Sequence, residues 1–233
     1  MMKLFSMLFL VGLSATAFAA ASDQQKLDAR LNASQTVIDE IMSTPDKAIP
    51  DDIARKAVCV AVVPGVVKGA FIFGAEYGQG TVTCRTPHGW SAPDFIRMEG
   101  GSFGFQIGGQ GTDLILVAVN QKGFQDLLHD KFKIGGDASA AAGPVGRDAQ
   151  ASTDVSMRAE LLTWSRSRGV FAGIDLNGVS VSQNTADTDK FYGSDNSFEQ
   201  ILHGTVPPPQ EAHPFLSSVN QYFGPAGSDR ASR

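Results

Sequence analysis

Between Asp23 and Met42 apolar side chains recur every three or four residues: Leu27, Leu31, Val37, Ile38, Ile41 and Met42. Asp23, Lys26, Asp28, Arg30, Asp39 and Glu40 fill the positions between them, so the pattern is that of a helix with one buried face. Pro45 ends it, because its ring clashes with the preceding turn. Pro50-Asp51-Asp52 opens a short second helix, with proline at the first helical position and two aspartates at the positive end of the dipole. From Ala57 the period becomes that of strands. Ala57 to Val63 is an unbroken apolar run that stops at Pro64-Gly65. Ala70 to Tyr77, Gly80 to Arg85, Trp90 to Met98, Gly101 to Gly109 and Asp113 to Asn120 follow, separated by glycine and proline signals. Connections this short favour antiparallel meander pairing, since a parallel return needs a crossover of about a dozen residues.

A helix is expected over Gln121 to Phe132, with Phe124, Leu127, Leu128 and Phe132 on one side. The small, glycine-rich Gly135 to Gly146 and a helical or irregular stretch from Asp148 to Glu160 come next. Leu161 to Ser165 and Val170 to Leu176 read as strands, and Asn177-Gly178 is a hairpin signal with Val179 to Ser182 returning. Ser197 to His203 reads as a short helix, and 205–233, with Pro207-Pro208-Pro209 and its Gly/Ser/Arg end, as a flexible tail. The sum is an α+β fold: a glycine-rich, mainly antiparallel β core, sheet or barrel-like, with an N-terminal amphipathic helix and a few flanking helices.

The first residues stand apart. Lys3, the apolar Leu4 to Leu13 and the small-x-small Ala17-Phe18-Ala19 form the pattern of a secretory signal peptide over 1–21. The apolar run of about 10 residues is too short for a bilayer core that needs about 20. A single domain over 22–204 then works in the periplasm or outside the cell, peripheral at the envelope membrane. Such a compartment permits one disulfide between the two cysteines, Cys59 and Cys84, which stand 25 positions apart. Two buried free thiols are the alternative. The net charge of −5 provides no general basic face, which excludes sequence-independent nucleic-acid binding.

Chemistry is sparse. Gly100-Gly101-Ser102-Phe103-Gly104 matches G-x-S-x-G, and a serine esterase would use Ser102 with a base among His129, His203 and His213. That motif acts only on a sharp strand-to-helix turn, and the residues after it read as strand. With period two, Gly100, Ser102, Gly104, Gln106 and Gly108 share one face, and Phe103, Phe105 and Ile107 the other. The small face admits either close strand packing or an acyl chain. No cofactor and no metal are expected: the histidines are scattered, and Phe191 interrupts the calcium-like start Asp187-Thr188-Asp189. Local cations stand at Arg55-Lys56, Lys68, Arg85, Arg97, Arg147 and Arg166-Ser167-Arg168. Gly143 to Arg147 offers backbone N–H groups beside a guanidinium, which suits phosphate. Pairing of the arginines with Asp148, Asp154 and Glu160 is the other reading.

Taken in order, these runs resemble the SYLF (DUF500) lipid-binding domain family. The matching residues are Ala57 to Pro64, Lys68-Gly69-Ala70-Phe71, Tyr77-Gly78-Gln79-Gly80, Gly89 to Pro93, Gly104 to Gln110 and Thr112-Asp113-Leu114. They continue with Gly136 to Ser139, Ala142 to Arg147, Ser165 to Gly173 and Tyr192-Gly193, and cover about Leu27 to Gly193. The resemblance implies a non-enzymatic phospholipid-binding protein, here in the stand-alone bacterial exported form. It implies a membrane surface as partner and, without an SH3 or FYVE-like region, no actin role. Lys68, Arg85, Arg147, Arg166 and Arg168 fall at motif positions and are the expected headgroup residues. The helix Asp23 to Met42 carries a mixed, acidic polar face, unlike the Lys/Arg-rich face of helices that lie in membranes. An envelope interaction module without a lipid site is the alternative.

Overall fold

The computed structural model describes residues 5–44, 48–70, 73–103, 111–145, 159–167, 170–171 and 176–224. It leaves aside the side chains of 5–22, 68–70, 73–75, 101–103 and 170–171. The strands are β1 (Cys59–Ala70), β2 (Phe73–Thr86), β3 (Gly89–Trp90), β4 (Asp94–Phe103), β5 (Gly111–Ala118), β6 (Lys131–Lys133), β7 (Ala140–Ala142), β8 (Leu161–Ser167), β9 (Val170–Phe171) and β10 (Ser180–Gln183). Around them stand α1 (Phe5–Met42), α2 (Asp51–Lys56), α3 (Gln121–Leu128), α4 (Thr185–Tyr192), α5 (Phe198–Leu202) and α6 (His213–Phe223). The fold is α+β, as the hydrophobic pattern predicts.

The sheet runs β6-β10-β4-β2-β1-β5-β8-β7, with β3 beside β2 and β9 beside β8. Every pairing between these strands is antiparallel except that of β7 with β8. A simple meander fails between β4 and β5, because β5 pairs with the far side of β1. The reason lies in β1 itself. A meander would leave its apolar run at an edge, open to pairing with other chains, whereas β5 closes that edge. The sheet must also curl. Lys133 and Ala140 are joined by residues 134–139 yet belong to its opposite ends. Eight flat strands would separate those ends by about 34 Å, and the connection spans at most about 25 Å. The result is a half-barrel.

Each face of the sheet packs against helices. On one, Cys59, Ala61, Val63, Val82, Ile96, Met98, Leu114 and Leu116 meet Phe124 and Leu127 of α3 and Phe198 and Leu202 of α5. On the other, Val60, Val62, Ile115, Val117, Leu162 and Trp164 meet Leu31, Ile38 and Ile41 of α1, Ile53 of α2, and Phe215, Val219 and Phe223 of α6. β1 and β5 are therefore buried on both sides, which explains their unbroken apolar runs.

Several boundaries differ from the sequence reading. Pro64-Gly65 does not stop β1 but forms a bulge, with register shifts between Val62 and Val67 against β2 and between Val63 and Val66 against β5. Gly65 takes the positive φ of +57° there, and its N–H donates to Asp113 Oδ1 at 3.0 Å. Ala70 ends β1, whereas Phe73 to Tyr77 and Gly80 to Arg85 belong to one strand, β2, to which β1 comes very close: a Cβ on Gly80 would stand 2.2 Å from the Val62 carbonyl oxygen. Gly100 likewise packs closely, with Val179 Cγ2 2.8 Å from where its Cβ would be, so at this position the small face receives a side chain of the fold rather than an acyl chain. Gly104 to Gly108 lie outside the described residues. The expected helix to Phe132 ends at Leu128, and Phe132 enters the core from β6 instead. At Asn177-Gly178 the Val179 N–H donates to the Leu176 carbonyl, closing a turn, but β10 is paired on both edges, with β4 and β6, so no hairpin with β9 forms.

The largest correction concerns 205–233. The chain beyond Thr205 is not a flexible tail as far as Gly224. Gln210–Ala212 forms a 3-10 turn that leads into α6, and Ala212, Phe215, Val219 and Phe223 are buried against α1, α2 and the sheet. Phe215, Val219 and Phe223 repeat at helical spacing after Pro214, a start signal that the proline-rich segment before it obscures.

Candidate functional site

Ser102 lies within β4, with Gly74 of β2 as its register partner and Phe103 still in the strand. A nucleophile elbow needs a strand-to-helix turn, which this serine does not occupy. Among the histidines, His203 is set edge-on to Phe124 and lies 3.7 Å from Glu199. Asp187, Thr188 and Asp189 belong to α4, where Asp187 binds Arg30 at 2.7 Å. Among the described residues no three His, Cys, Asp or Glu side chains are grouped to hold a metal. Cys59 and Cys84 are register partners across β1 and β2, and their sulfurs are bonded at 2.04 Å.

The five expected headgroup cations do not form one cluster. Arg85 sits at the sheet end where the disulfide is. Its Nε donates to the Ala57 carbonyl at 3.0 Å and its Nη2 to the Phe223 carbonyl at 2.5 Å, while the guanidinium lies 4.5 Å over the Trp90 ring. Burial pulls its pKa below the ordinary arginine value. These contacts tie α6 to β2, so Arg85 holds the fold together. Arg166, on β8, is at the opposite end. It binds Glu40 of α1 and, at 3.0 Å, Asp113 of β5. Partial burial lowers its pKa, but hydrogen bonds and charge from both carboxylates outweigh that and hold it above the ordinary value. Lys68 is in β1 opposite Glu76, and its side chain lies outside the described residues. Arg147 and Arg168 lie outside them altogether.

Register nevertheless relates these positions. Val67 of β1 is opposite Gly111 of β5, and the next residue of β5, Thr112, is opposite Ser167 of β8. Lys68, Arg166 and Ser167, the neighbour of Arg168, thus share one end of the sheet. β7 runs parallel to β8 toward that end in the chain before Arg147. At the same end the structure exposes two large apolar side chains. Val67 is 50% exposed and Tyr77 is 45% exposed, and they are register partners. No other large hydrophobic side chain is so exposed among the described residues. Sequence reasoning missed this pair because Val66-Val67 continues an apolar run. The bulge at Pro64-Gly65 breaks the strand alternation, so Val66 turns into the core and Val67 outward. Proline and glycine inside that run were the available signal.

A cleft of about 370 Å³ between α4 and α5 is lined by Asp130, Asp189, Asp195, Gln183 and Gln200 among others. Three carboxylates repel a phosphate, so this cleft does not suit a phospholipid headgroup.

A family model named Ysc84 and described as "Las17-binding protein actin regulator" matches residues 99–222. The chain is 34% identical over 180 residues to SH3 domain-containing YSC84-like protein 1 of Rattus norvegicus, covering 76% of this chain and 53% of that protein. The Homo sapiens protein of that name is 32% identical over 180 residues, with 76% and 52% covered. LAS seventeen-binding protein 3 of Saccharomyces cerevisiae (strain ATCC 204508 / S288c) is 31% identical over 196 residues, with 80% and 42% covered. The chain spans about half the length of these relatives.

Proposed function

The chain belongs to the Ysc84, or SYLF, family, and from that premise we propose that it is a non-enzymatic phospholipid-binding protein of the bacterial cell envelope. One observation carries the reading. The exposed Val67–Tyr77 pair stands at the sheet end that holds Lys68 and Arg166 and from which the chain runs to Arg168. An apolar pair beside cationic positions suits a bilayer surface, where tyrosine sits at headgroup level and basic residues attract anionic lipid. Arg85 and Arg166 are bound within the fold. The headgroup role therefore passes to Lys68, Arg147 and Arg168.

Co-sedimentation with anionic and neutral liposomes tests this. Val67→Ser with Tyr77→Ser is expected to weaken binding several-fold. Arg147→Glu with Arg168→Glu is expected to weaken it at least about tenfold on anionic vesicles, at about 1 kcal/mol per basic residue near the surface. Wild-type affinity in both folded double variants overturns the assignment. The names of the relatives favour one other reading, a protein-binding module with a partner such as a Las17-like actin regulator. Binding to such a partner together with indifference to every liposome would establish that reading instead.

The same proposal places the protein outside the cytoplasm, exported by residues 1–21. The Cys59–Cys84 bond supports this, since disulfides persist in oxidising compartments. The intact mass of the protein recovered from its native host is expected to lack those residues, and a full-length mass in the periplasmic fraction would rule out cleavage.

A further inference from the structure

α4 is fastened on two sides. Toward the sheet, Asp94 at the start of β4 is completely buried, and its Oδ1 accepts the Phe95 N–H at 2.7 Å and the Thr188 hydroxyl of α4 at 2.5 Å. Asp94 Oδ2 is buried with no hydrogen-bond partner. One turn on, the Tyr192 hydroxyl donates to the Pro93 carbonyl, and Phe191 packs edge-on against Phe95 at 5.2 Å. Toward α1, Asp187 takes Arg30 at 2.7 Å and Lys190 reaches Asp23 at 3.0 Å. Arg30 also donates to Gln79 of β2 at 2.7 Å and lies 5.4 Å over the Phe95 ring.

We propose that Asp94 is a proton-controlled latch: protonated, it holds α4 and through it α1 on the sheet, and deprotonated, it loosens both. Among the described residues, the charged groups around it give an ionised Asp94 no cation. Asp189 of α4 faces it as a second carboxylate. The Tyr192 phenol is held neutral, its pKa raised first by burial and then by the Asp94 charge. Asp187 and Lys190 are turned to Arg30 and Asp23 on α1. Arg97 on β4 is held by Asn184 at 3.3 Å and stands 3.7 Å from Glu99. Val82, the register partner on β2, brings no charge.

Burial therefore pushes the Asp94 carboxyl up from 3.8 to about 7, with Asp189 adding to the rise and the Thr188 and Phe95 hydrogen bonds opposing it. The docked state has the higher pKa, so the latch is tightest below the undocked value near 4. It weakens as pH rises toward 7 and changes no further above that. Within this window the open fraction grows by at most about tenfold per pH unit. Asp23 acts outside the window. Its hydrogen bonds with Lys190 and Lys26 lower its pKa, so that contact is lost only at strongly acidic pH.

The test is hydrogen exchange of the full chain at pH 5 and pH 7.5, corrected for intrinsic rates, in wild type and Asp94→Asn. In wild type, opening of residues 185–192 and 23–42 is expected to increase at least tenfold between the two pH values, and in Asp94→Asn to stay within twofold. An equal pH response in both proteins, or none in either, overturns the latch. Should Asp94→Asn not fold, an NMR titration of the Asp94 carboxyl in the unsubstituted protein decides. A midpoint near 7, with α4 signals moving together with it, supports the latch, and a midpoint near 4 overturns it. The lipid reading stands or falls separately, since neither readout involves a membrane.

Discussion

Ending the chain after Pro209 is expected to abolish cooperative unfolding, and Phe223→Ala alone to lower stability by about 3–5 kcal/mol, the usual range for deleting a buried aromatic ring. Phe223 is 0% exposed, and it lies edge-on to Trp90 with ring centroids 6.3 Å apart. Its carbonyl receives Arg85, which stacks on the same Trp90. Phe215 and Val219 of the same helix are as deeply buried, and they cover Val60, Val62, Ile115 and Val117 on the sheet. Loss of α6 would uncover that apolar face together with one flank of α1, more than a marginally stable domain tolerates. Urea unfolding followed by tryptophan fluorescence reads the outcome directly, since both tryptophans lie on this side of the sheet. A truncated protein that unfolds at the wild-type urea midpoint would show that α6 contributes nothing to the core. Arg85→Ala should share part of the loss. It leaves the Ala57 and Phe223 carbonyls without their donor, and its effect should not add fully to that of Phe223→Ala, because the two residues are in contact.

Cys59→Ala with Cys84→Ala is expected to cost at least about 3 kcal/mol, the chain-entropy value of the constraint alone for a closed loop of 25 residues. In a domain of this length that corresponds to a fall in Tm of about 6–12 °C. The bond joins β1 to β2 at the end far from Val67 and Tyr77. Both cysteines are buried in the core with Ala61 and Val82, so the pair adds packing to the covalent constraint. Calorimetry with and without reductant separates the two contributions. Wild type under reductant should lose the constraint alone, whereas the alanine pair loses packing as well. Identical Tm values for oxidised wild type and the alanine pair would refute the prediction. Because the disulfide lies at the opposite end from the proposed membrane contact, liposome affinity measured well below Tm should not change.

Ser197 illustrates what local sequence conveys. Its hydroxyl accepts from the Gln200 N–H and the Gln200 side chain accepts from the Ser197 N–H, so four consecutive residues specify a capping box and the start of α5. The buried stripe of α1, the apolar runs of β1 and β5 and the strand-rich class were legible for the same reason: periodicity is a property of neighbours in the chain. Proline had two outcomes that local pattern does not separate. Pro93 divides β3 from β4 where an N–H is missing, whereas Pro64 sits in a bulge that lets β1 continue to Ala70. The family's motif series was also legible, and it led to the correct family.

What the sequence determined by itself, then, was the buried stripe of α1, the main apolar strands, the fold class and the residues with chemistry to offer. The tertiary structure alone decided how those residues are used. Arg85 and Arg166 look equally free along the chain, yet each meets partners more than 100 residues away, Phe223 for one and Glu40 for the other. Asp94 is one acidic residue among many until α4 folds over it and removes water. Val67 faces outward only because a bulge two residues earlier reverses the alternation of its strand. Ion pairing, burial and exposure depend on distance through space, and distance along the chain does not encode them.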